Sequence, residues 1–319
     1  MTLPRAGLAW LFLFTFLAGC TPEETSDRPS SQKRMSGPYL GQAPPGLTPK
    51  RFAPAAMSEG LVAHSAPSFS PDGTEAYWSA YSGSFADQMI YFSELRDGEW
   101  SAPRVAPFSG PSNDGAPVFS HDGQRLYFSS MRARAPGEPE GMGYVWFVER
   151  LEDGWSEPRP VSPAVNWTRL SMQVSVTRDG SIYYAAWVGE TTDNGDIYLS
   201  EFSEGEYGDP EKLGESINSD FQDVAPCVAP DESYMVFTSM GRPFGVGGAD
   251  LLVSFRKPDG SWTNSMPLSY PVNSPAMEVF SSLSPDGKYL FFTSDREGGP
   301  AVYWVDTSGI QAARDRYGG

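Results

Sequence analysis

The sequence predicts an all-β protein in which one four-stranded unit recurs along the chain. Three observations indicate this: abundant turn-forming residues, abundant aromatic residues, and an Asp-containing turn that returns at a nearly constant interval. The chain has 33 Gly and 29 Pro among its 319 residues, which disfavours long helices. Its aromatic content of 13% favours short strands and excludes a disordered protein.

The recurring turn has the pattern Ser-Pro-Asp-Gly or a close variant of it. Its aspartates lie 50, 57, 52 and 55 residues apart, at Asp72, Asp122, Asp179, Asp231 and Asp286. Asp-Gly between two apolar runs is typical of a hairpin, because glycine adopts a positive φ without steric cost. In the fourth copy Glu232 takes the glycine position. We expect that turn to be strained or of another type.

Each turn lies between a short apolar strand and an aromatic strand such as Leu126-Tyr127-Phe128. A third strand follows a glycine-containing loop, and a second turn such as Asp153-Gly154 leads to a fourth strand. Four strands repeated about every fifty residues are typical of β-propeller blades. Each sheet is apolar on both faces, so the blades must close into a ring to bury them.

The fifth copy ends without its fourth strand, and the missing strand is predicted at the other end of the chain. Residues 49–54 match residues 103–107, the fourth strand of the first complete unit. An N-terminal strand that completes the last blade closes the ring through ordinary ladder hydrogen bonds. The sequence therefore predicts five four-stranded blades, with six blades as the alternative.

The unit Ser-Pro-Asp-Gly-x-x-Leu-Tyr-Phe-x-Ser is followed by Asp-Ile-Tyr and Gly-x-Trp-Ser-x-Pro. This pattern resembles the WD-like β-propeller repeat of TolB-type periplasmic proteins, from residue 49 to about 306. The resemblance implies the propeller fold. It is compatible with several functions, because the family includes scaffolds, peptidase propeller domains and sugar-acting enzymes.

The N-terminus has the pattern of an export signal. Arg5 precedes an apolar stretch, and Leu17-Ala18-Gly19-Cys20 resembles the lipobox of bacterial lipoproteins. We therefore predict a signal peptide over residues 1–19, lipidation of Cys20, a flexible tether over 20–47 and one propeller domain over 48–319. The resemblance implies a lipid-anchored envelope protein. Thr21 after the cysteine favours the outer membrane, facing the periplasm.

The net charge of −17 and the absence of a basic patch exclude nucleic acid as a partner. Besides Cys20 the only cysteine is Cys227, which lies in an apolar run and is predicted to be an inert core residue. His121 is predicted to be a solvated turn residue. We expect a monomer and no cofactor. A bound metal is also not expected, and zinc in particular is disfavoured because only one histidine, His64, is predicted near the channel.

In a propeller the first strand of each blade lines the central channel. The loops before the first strand and those between the second and third strands share one end, here called the rim face. The Asp-Gly turns occupy the opposite end, here called the hairpin face. The residue eight positions before each turn aspartate is expected on the rim face: His64, Asp114, Ser171, Asp223 and Glu278. Three arginines that follow the second strands are expected beside them: Arg132, Arg242 and Arg296.

Two interpretations of this rim are open. Its charged residues can bind an envelope protein or an oligosaccharide, or each acid can pair with an arginine and hold the loops in place. The predicted function is a non-enzymatic binding module. The alternative is a carbohydrate-active enzyme, a glycoside hydrolase or lyase, that uses Asp114, Asp223 and Glu278. Neighbouring arginines disfavour the raised pKa that an acid catalyst needs.

Overall fold

The structure is a computed structural model that describes residues 35–53, 57, 60–138, 143–168, 171–188 and 194–317. These residues form five antiparallel blades arranged in a ring. This confirms the predicted all-β propeller and its five blades.

The strands follow one another blade by blade. Blade 1 contains β2 (Val62–Ala63), β3 (Ser68–Phe69), β4 (Glu75–Tyr81), β5 (Met89–Arg96), β6 (Glu99–Trp100) and β7 (Arg104–Val105). Blade 2 contains β8 (Gly115–Phe119), β9 (Arg125–Ser130), β10 (Tyr144–Leu151), β11 (Gly154–Trp155) and β12 (Arg159–Pro160). Blade 3 contains β13 (Ser171–Val176), β14 (Ile182–Trp187), β15 (Gly195–Ser200) and β18 (Glu211–Lys212), with a hairpin of β16 (Phe202–Ser203) and β17 (Glu206–Tyr207). Blade 4 contains β19 (Gln222–Val228), β20 (Tyr234–Met240), β21 (Asp250–Phe255) and β22 (Met266–Pro267). Blade 5 contains β23 (Glu278–Leu283), β24 (Tyr289–Ser294), β25 (Ala301–Asp306) and the N-terminal β1 (Lys50–Arg51).

Strand β1 closes the ring as predicted. It pairs antiparallel with β25, with Lys50 opposite Trp304 and Arg51 opposite Tyr303. The pairing continues beyond the strand, because the Phe52 N–H donates to the Val302 carbonyl at 2.8 Å. The last blade is thus completed by the beginning of the chain.

The hydrophobic core lies between successive blades. A buried cluster fills each of the five junctions, including the one between blades 5 and 1. Each cluster contains residues from two adjacent blades, for example Trp304 and Trp78, Tyr77 and Phe128, Val145 and Tyr184, Tyr183 and Phe237, and Tyr234 and Phe292. Every one of these clusters contains at least three aromatic residues, which bury a large area against the neighbouring blade.

Short helical segments described outside the blades include a turn at Pro38–Gly41, a 3-10 turn at Phe85–Asp87 and a C-terminal helix at Ser308–Tyr317. The C-terminal helix was not predicted, because its sequence has little apolar periodicity. It attaches to the core between blades 4 and 5 through the buried Ile310.

Residues 35–46 pack against blades 1 and 5, although their composition assigns them to the tether. The Trp100 indole donates to the Gly37 carbonyl at 2.7 Å, and the Tyr39 hydroxyl donates to Asp286 at 3.2 Å. Leu40 is fully buried. The packed body therefore begins by Met35, and the segment lies beside turns of the hairpin face.

The recurring turns have the backbone that the sequence predicts. Gly73, Gly123, Gly180 and Gly287 all have positive φ, between 70° and 93°. Glu232 adopts the same region with φ 55°, and its N–H closes the turn on the Ala229 carbonyl at 2.8 Å. The fourth copy therefore keeps the turn type and carries the strain of a side chain in the left-handed region.

Replacing Glu232 by glycine is expected to raise the free energy of unfolding by about 0.5–1 kcal/mol. The variant is stabilised because glycine adopts the left-handed region without strain. It also loses the 3.6 Å ion pair between Glu232 and Arg256, but this pair is partly exposed and therefore contributes little. Urea denaturation measures the change. The matched control is Gly287→Ala, which has room for a Cβ and should lose about 1 kcal/mol. A destabilised Glu232→Gly variant would contradict this account.

Candidate functional site: the rim face of the propeller

The structure places the three acids where their blades' first strands begin. Asp114 directly precedes β8, Asp223 is the second residue of β19, and Glu278 opens β23. Each has an arginine of its own blade beside it, and all three carboxylates are fully buried. The rim is therefore built from three separate acid–arginine pairs, in blades 2, 4 and 5.

The pair in blade 5 joins two loops. Glu278 accepts hydrogen bonds from the Ser274 hydroxyl at 2.7 Å, the Ser294 hydroxyl at 2.8 Å and Arg296 Nη2 at 3.0 Å. Arg296 also donates to the carbonyls of Pro271 and Val272, at 3.0 and 2.6 Å. The pair thus holds the loop before β23 against the loop after β24.

Blade 4 repeats this arrangement with a shorter acid. Asp223 accepts from the Ser219 and Ser239 hydroxyls, both at 2.6 Å, and from Arg242 Nη2 at 2.7 Å. Arg242 donates further to the Ile217 carbonyl at 2.6 Å. This fully buried carboxylate therefore has its hydrogen-bonding capacity met by donors from the surrounding loops and strand.

In blade 2 one guanidinium nitrogen bridges both oxygens of the acid. Arg132 Nη2 lies 2.9 and 2.7 Å from the two carboxylate oxygens of Asp114. The Ser109 hydroxyl and the Gly110 N–H complete the set at 3.0 and 2.9 Å. All three acids are therefore hydrogen-bonded to donors within the protein.

Among the residues described in blades 1 and 3, no such pair occurs. Ser171 opens β13 in blade 3, and His64 follows β2 in blade 1. The His64 ring lies against Phe85 and Phe280, with ring centroids 4.9 and 4.6 Å away. Burial lowers the pKa of His64 to about 4, and its Nδ1 has no hydrogen-bond partner among the described residues. His64 is thus a neutral packing residue of the rim.

Two features of the rim were missed by the sequence analysis. First, Asn166, Asn218 and Asn273 are buried and each hydrogen-bonds both the N–H and the C=O of one residue in a third strand. Their signal is a recurring apolar-Asn pair before the first strand. Second, a residue two positions after each acid has a positive φ, at a register shift of the first strand: Ala116, Ala225 and Phe280. The residue types give no signal for that bend.

The channel is filled below the rim. Trp187, Val224 and Phe280 form a buried cluster from blades 3, 4 and 5. Deeper in the channel, Gln173 Nε2 of blade 3 donates across to the Ser281 carbonyl of blade 5 at 2.7 Å. Cavities at the rim end hold only about 30 and 20 Å³, too little for a sugar ring.

The open end of the channel is at the hairpin face. A cavity of about 420 Å³ there is lined by all five blades, and its wall includes His121 and Arg178. Burial, and then the charge of Arg178, lower the pKa of His121. His121 is therefore a half-buried wall residue, and the sequence prediction of a solvated turn residue is corrected.

The structure also describes Cys227 and the groups that could bind a metal ion, but it does not describe Cys20. Cys227 is buried, and burial raises the pKa of its thiol to about 12, so it is unreactive as expected. Within the described ranges no cluster of three or more His, Cys, Asp or Glu side chains could hold a metal ion. Nor does any helix in that part of the chain have the length and apolarity to cross a membrane. Cys20 lies outside the described residues.

No protein-family model matches the chain, and no curated protein matches it in sequence. Solved structures with the same fold include a protein assigned to TolB from Agrobacterium tumefaciens, with a TM-score of 0.50, 19% identity and coverage of 77% of both chains. An α-L-arabinofuranosidase from Lactobacillus brevis matches with a TM-score of 0.50 and 15% identity, over 79% of this chain and 93% of its own. An endo-arabinase from Bacteroides thetaiotaomicron matches with a TM-score of 0.50 and 14% identity, over 79% and 95%. At these identities the likeness establishes the propeller fold alone.

Arg296→Ala is expected to lower the free energy of unfolding by about 3–5 kcal/mol, because it leaves the charge of Glu278 buried without its partner. Chemical denaturation measures the loss. The double variant Arg296→Ala, Glu278→Gln should recover part of it, since the uncompensated charge is gone.

The matched control is Arg96→Ala, which breaks an exposed pair with Glu94 and should cost less than about 1 kcal/mol. Equal decreases in the free energy of unfolding for Arg296→Ala and Arg96→Ala would show that the rim pairs do not hold the loops in place.

His64 is expected to make the protein less stable as the pH falls from 6.5 to 4. The folded pKa of about 4 lies below the unfolded value of 6.5, so the unfolded chain binds more protons in that window. The loss is at most about 3 kcal/mol. His64→Phe, which fits the aromatic surroundings, should flatten the pH profile of the unfolding free energy relative to the parent protein.

His121→Asn serves as the control, because it removes the contribution of the other histidine and leaves that of His64. Identical slopes for the parent and His64→Phe between pH 7 and 4.5 would contradict the assignment.

Proposed function

We propose that this chain is a cell-envelope lipoprotein, anchored through Cys20, whose propeller is a non-enzymatic module that binds an envelope protein or an oligosaccharide on its rim face. The lipobox-like Leu17-Ala18-Gly19-Cys20 supports the anchor, and Thr21 supports the outer membrane facing the periplasm. The partner is a component of the same compartment.

One observation carries the choice of a binding module over a hydrolase. Asp114, Asp223 and Glu278 are fully buried, and each is paired with an arginine. A glycosidase needs two carboxyl groups that face a bound sugar across an open site, and one of them must carry a proton near neutral pH. Buried carboxylates held by guanidinium groups of their own blades do not face such a site.

The rim pairs nevertheless matter for binding. They hold the loops of blades 2, 4 and 5 in one arrangement, so the rim face is a preformed surface. A preformed surface binds without the entropic cost of ordering its loops. The charged residues therefore act as positioning residues beneath the surface that meets the partner.

The test is to block one face at a time with a bulky thiol-reactive polymer. Cysteines replace exposed acids on the rim face, in Asp220→Cys and Glu297→Cys, and exposed lysines on the hairpin face, in Lys257→Cys and Lys288→Cys. The buried Cys227 does not compete for the reagent, because its thiol has a pKa raised to about 12. Each labelled protein is then used to capture envelope components by chemical crosslinking.

Polymer on the rim face is expected to reduce capture at least tenfold, and polymer on the hairpin face to leave it within twofold of the unlabelled protein. Loss of capture from the hairpin face alone would contradict the proposal and move the site to the 420 Å³ cavity. Release of reducing sugar ends from envelope glycans by the parent protein would favour the carbohydrate-active enzyme instead.

A further inference from the structure

The rim face of blades 3 to 5 exposes an unusual number of large apolar side chains. Of eight such residues among those described, Leu47, Val105 and Leu151 lie elsewhere on the surface. The other five lie on rim loops: Trp167, Val188, Phe244, Val246 and Tyr270. Single exposed apolar residues are ordinary, but a group of them on one face marks an interaction surface.

Three of these side chains stand on two loops that are joined to each other. Phe244 and Val246 belong to the loop after β20, and Tyr270 belongs to the loop before β23; their exposed fractions are 49%, 55% and 79%. The loops meet through the Gly248 N–H, which donates to the Ala276 carbonyl at 3.1 Å. We call the three side chains the apolar patch.

The loops under the apolar patch are held rigidly. Asp250 accepts from the Val246 N–H at 3.0 Å, and Arg296 donates to the Pro271 carbonyl at 3.0 Å. At Gly247 a Cβ would lie 1.8 Å from the Ala276 carbonyl oxygen, so the loops approach as closely as only glycine permits. The patch therefore stays exposed because its backbone is fixed, and it has no freedom to fold inward.

Among the described residues of blades 4 and 5, the exposed charges on the rim loops are negative. Glu215 and Asp220 are exposed in the loop before β19, and Glu297 is exposed in the loop after β24. The nearby arginines, Arg242 and Arg296, are neutralised by buried acids. A partner that covers the patch meets apolar side chains bordered by carboxylates.

We infer that the apolar patch docks a segment of another protein that carries apolar side chains flanked by lysine or arginine. This rests on the proposed function, since it names the partner of the same face. Interface cores are enriched in aromatic residues, and complementary charges at the border steer the approach. A second copy of this chain is disfavoured, because it would bring acid against acid in a protein of net charge −17.

An oligosaccharide fits the surface less well than a protein segment. Sugar sites combine an aromatic face with free hydrogen-bonding groups in a pocket of matching size. Here the guanidinium groups of Arg242 and Arg296 are occupied by internal acceptors, and the rim cavities hold about 30 Å³ or less. The rim therefore offers an apolar area rather than a sugar pocket.

Site-specific photocrosslinking in the producing cell tests this inference on the full chain. The photoreactive residue p-benzoylphenylalanine replaces Tyr270 or Phe244, and replaces Leu151 or Val105 as exposed controls of similar apolar character. Mass spectrometry then identifies the peptide attached at each position. We expect adducts at 270 and 244 in at least tenfold excess over 151 and 105, on a peptide that contains apolar residues and has a net positive charge.

Four outcomes would overturn the inference: equal yields at test and control positions, no adduct at 270 and 244, attachment to a peptide of this chain, or attachment to a glycan or an acidic peptide. In the first two cases the face-blocking experiment separates the failures. If polymer on the rim face still abolishes capture, the proposed function stands and only the apolar patch is excluded; if it does not, both fail.

A binding measurement completes the test. The crosslinked segment, made as a labelled peptide, is titrated with the parent protein and with Tyr270→Ser, Phe244→Ser. The double variant should bind at least tenfold more weakly, while Leu151→Ser should bind as the parent does. Asp220→Lys with Glu297→Lys should also weaken binding and reduce its dependence on salt. Unchanged affinity in the patch variant would refute the assignment.

Discussion

The pairing of β1 with β25 is the constraint on which the rest of the molecule depends. Every blade buries both faces against its neighbours, so a missing strand in blade 5 would expose two aromatic layers at once. Trp304 illustrates this: it lies opposite Lys50 in the ladder and belongs to the same buried cluster as Trp78 of blade 1. The two ends of the chain must meet before the junction between blades 5 and 1 is fully buried. Stability is therefore a property of the closed ring more than of any single blade.

The loops on the rim face are organised by the closed ring and then fixed by polar contacts. Buried asparagines attach the loops before blades 3, 4 and 5 to the preceding third strands, and the acid–arginine pairs attach loops within blades 2, 4 and 5. Each group is costly to bury alone and becomes favourable only with its full set of partners. The rim charges thus hold the loops in place, while the large side chains that these loops expose are apolar.

The fold could be predicted from the sequence because its signals are local and repeated. The Asp-Gly turns and aromatic strands specify the blades, and the match of residues 49–54 to a fourth strand specifies the closure. Asp114, Asp223 and Glu278 were placed at the rim by their fixed distance from the turns. Their burial could not be foreseen, because it depends on serine hydroxyls, loop carbonyls and a filled channel contributed by distant segments. The packing of residues 35–46 was missed for the same reason, since polar composition conceals a few well-placed aromatic contacts.

The packed segment at the start of the described chain lies on one particular face of the propeller. Tyr39 touches Asp286, and Gly37 touches Trp100, both beside turns of the hairpin face. The described chain therefore begins on the face opposite the rim. An anchor at Cys20, as proposed above, would be joined to the body through Met35, and the attachment point would not compete with a partner bound on the rim face.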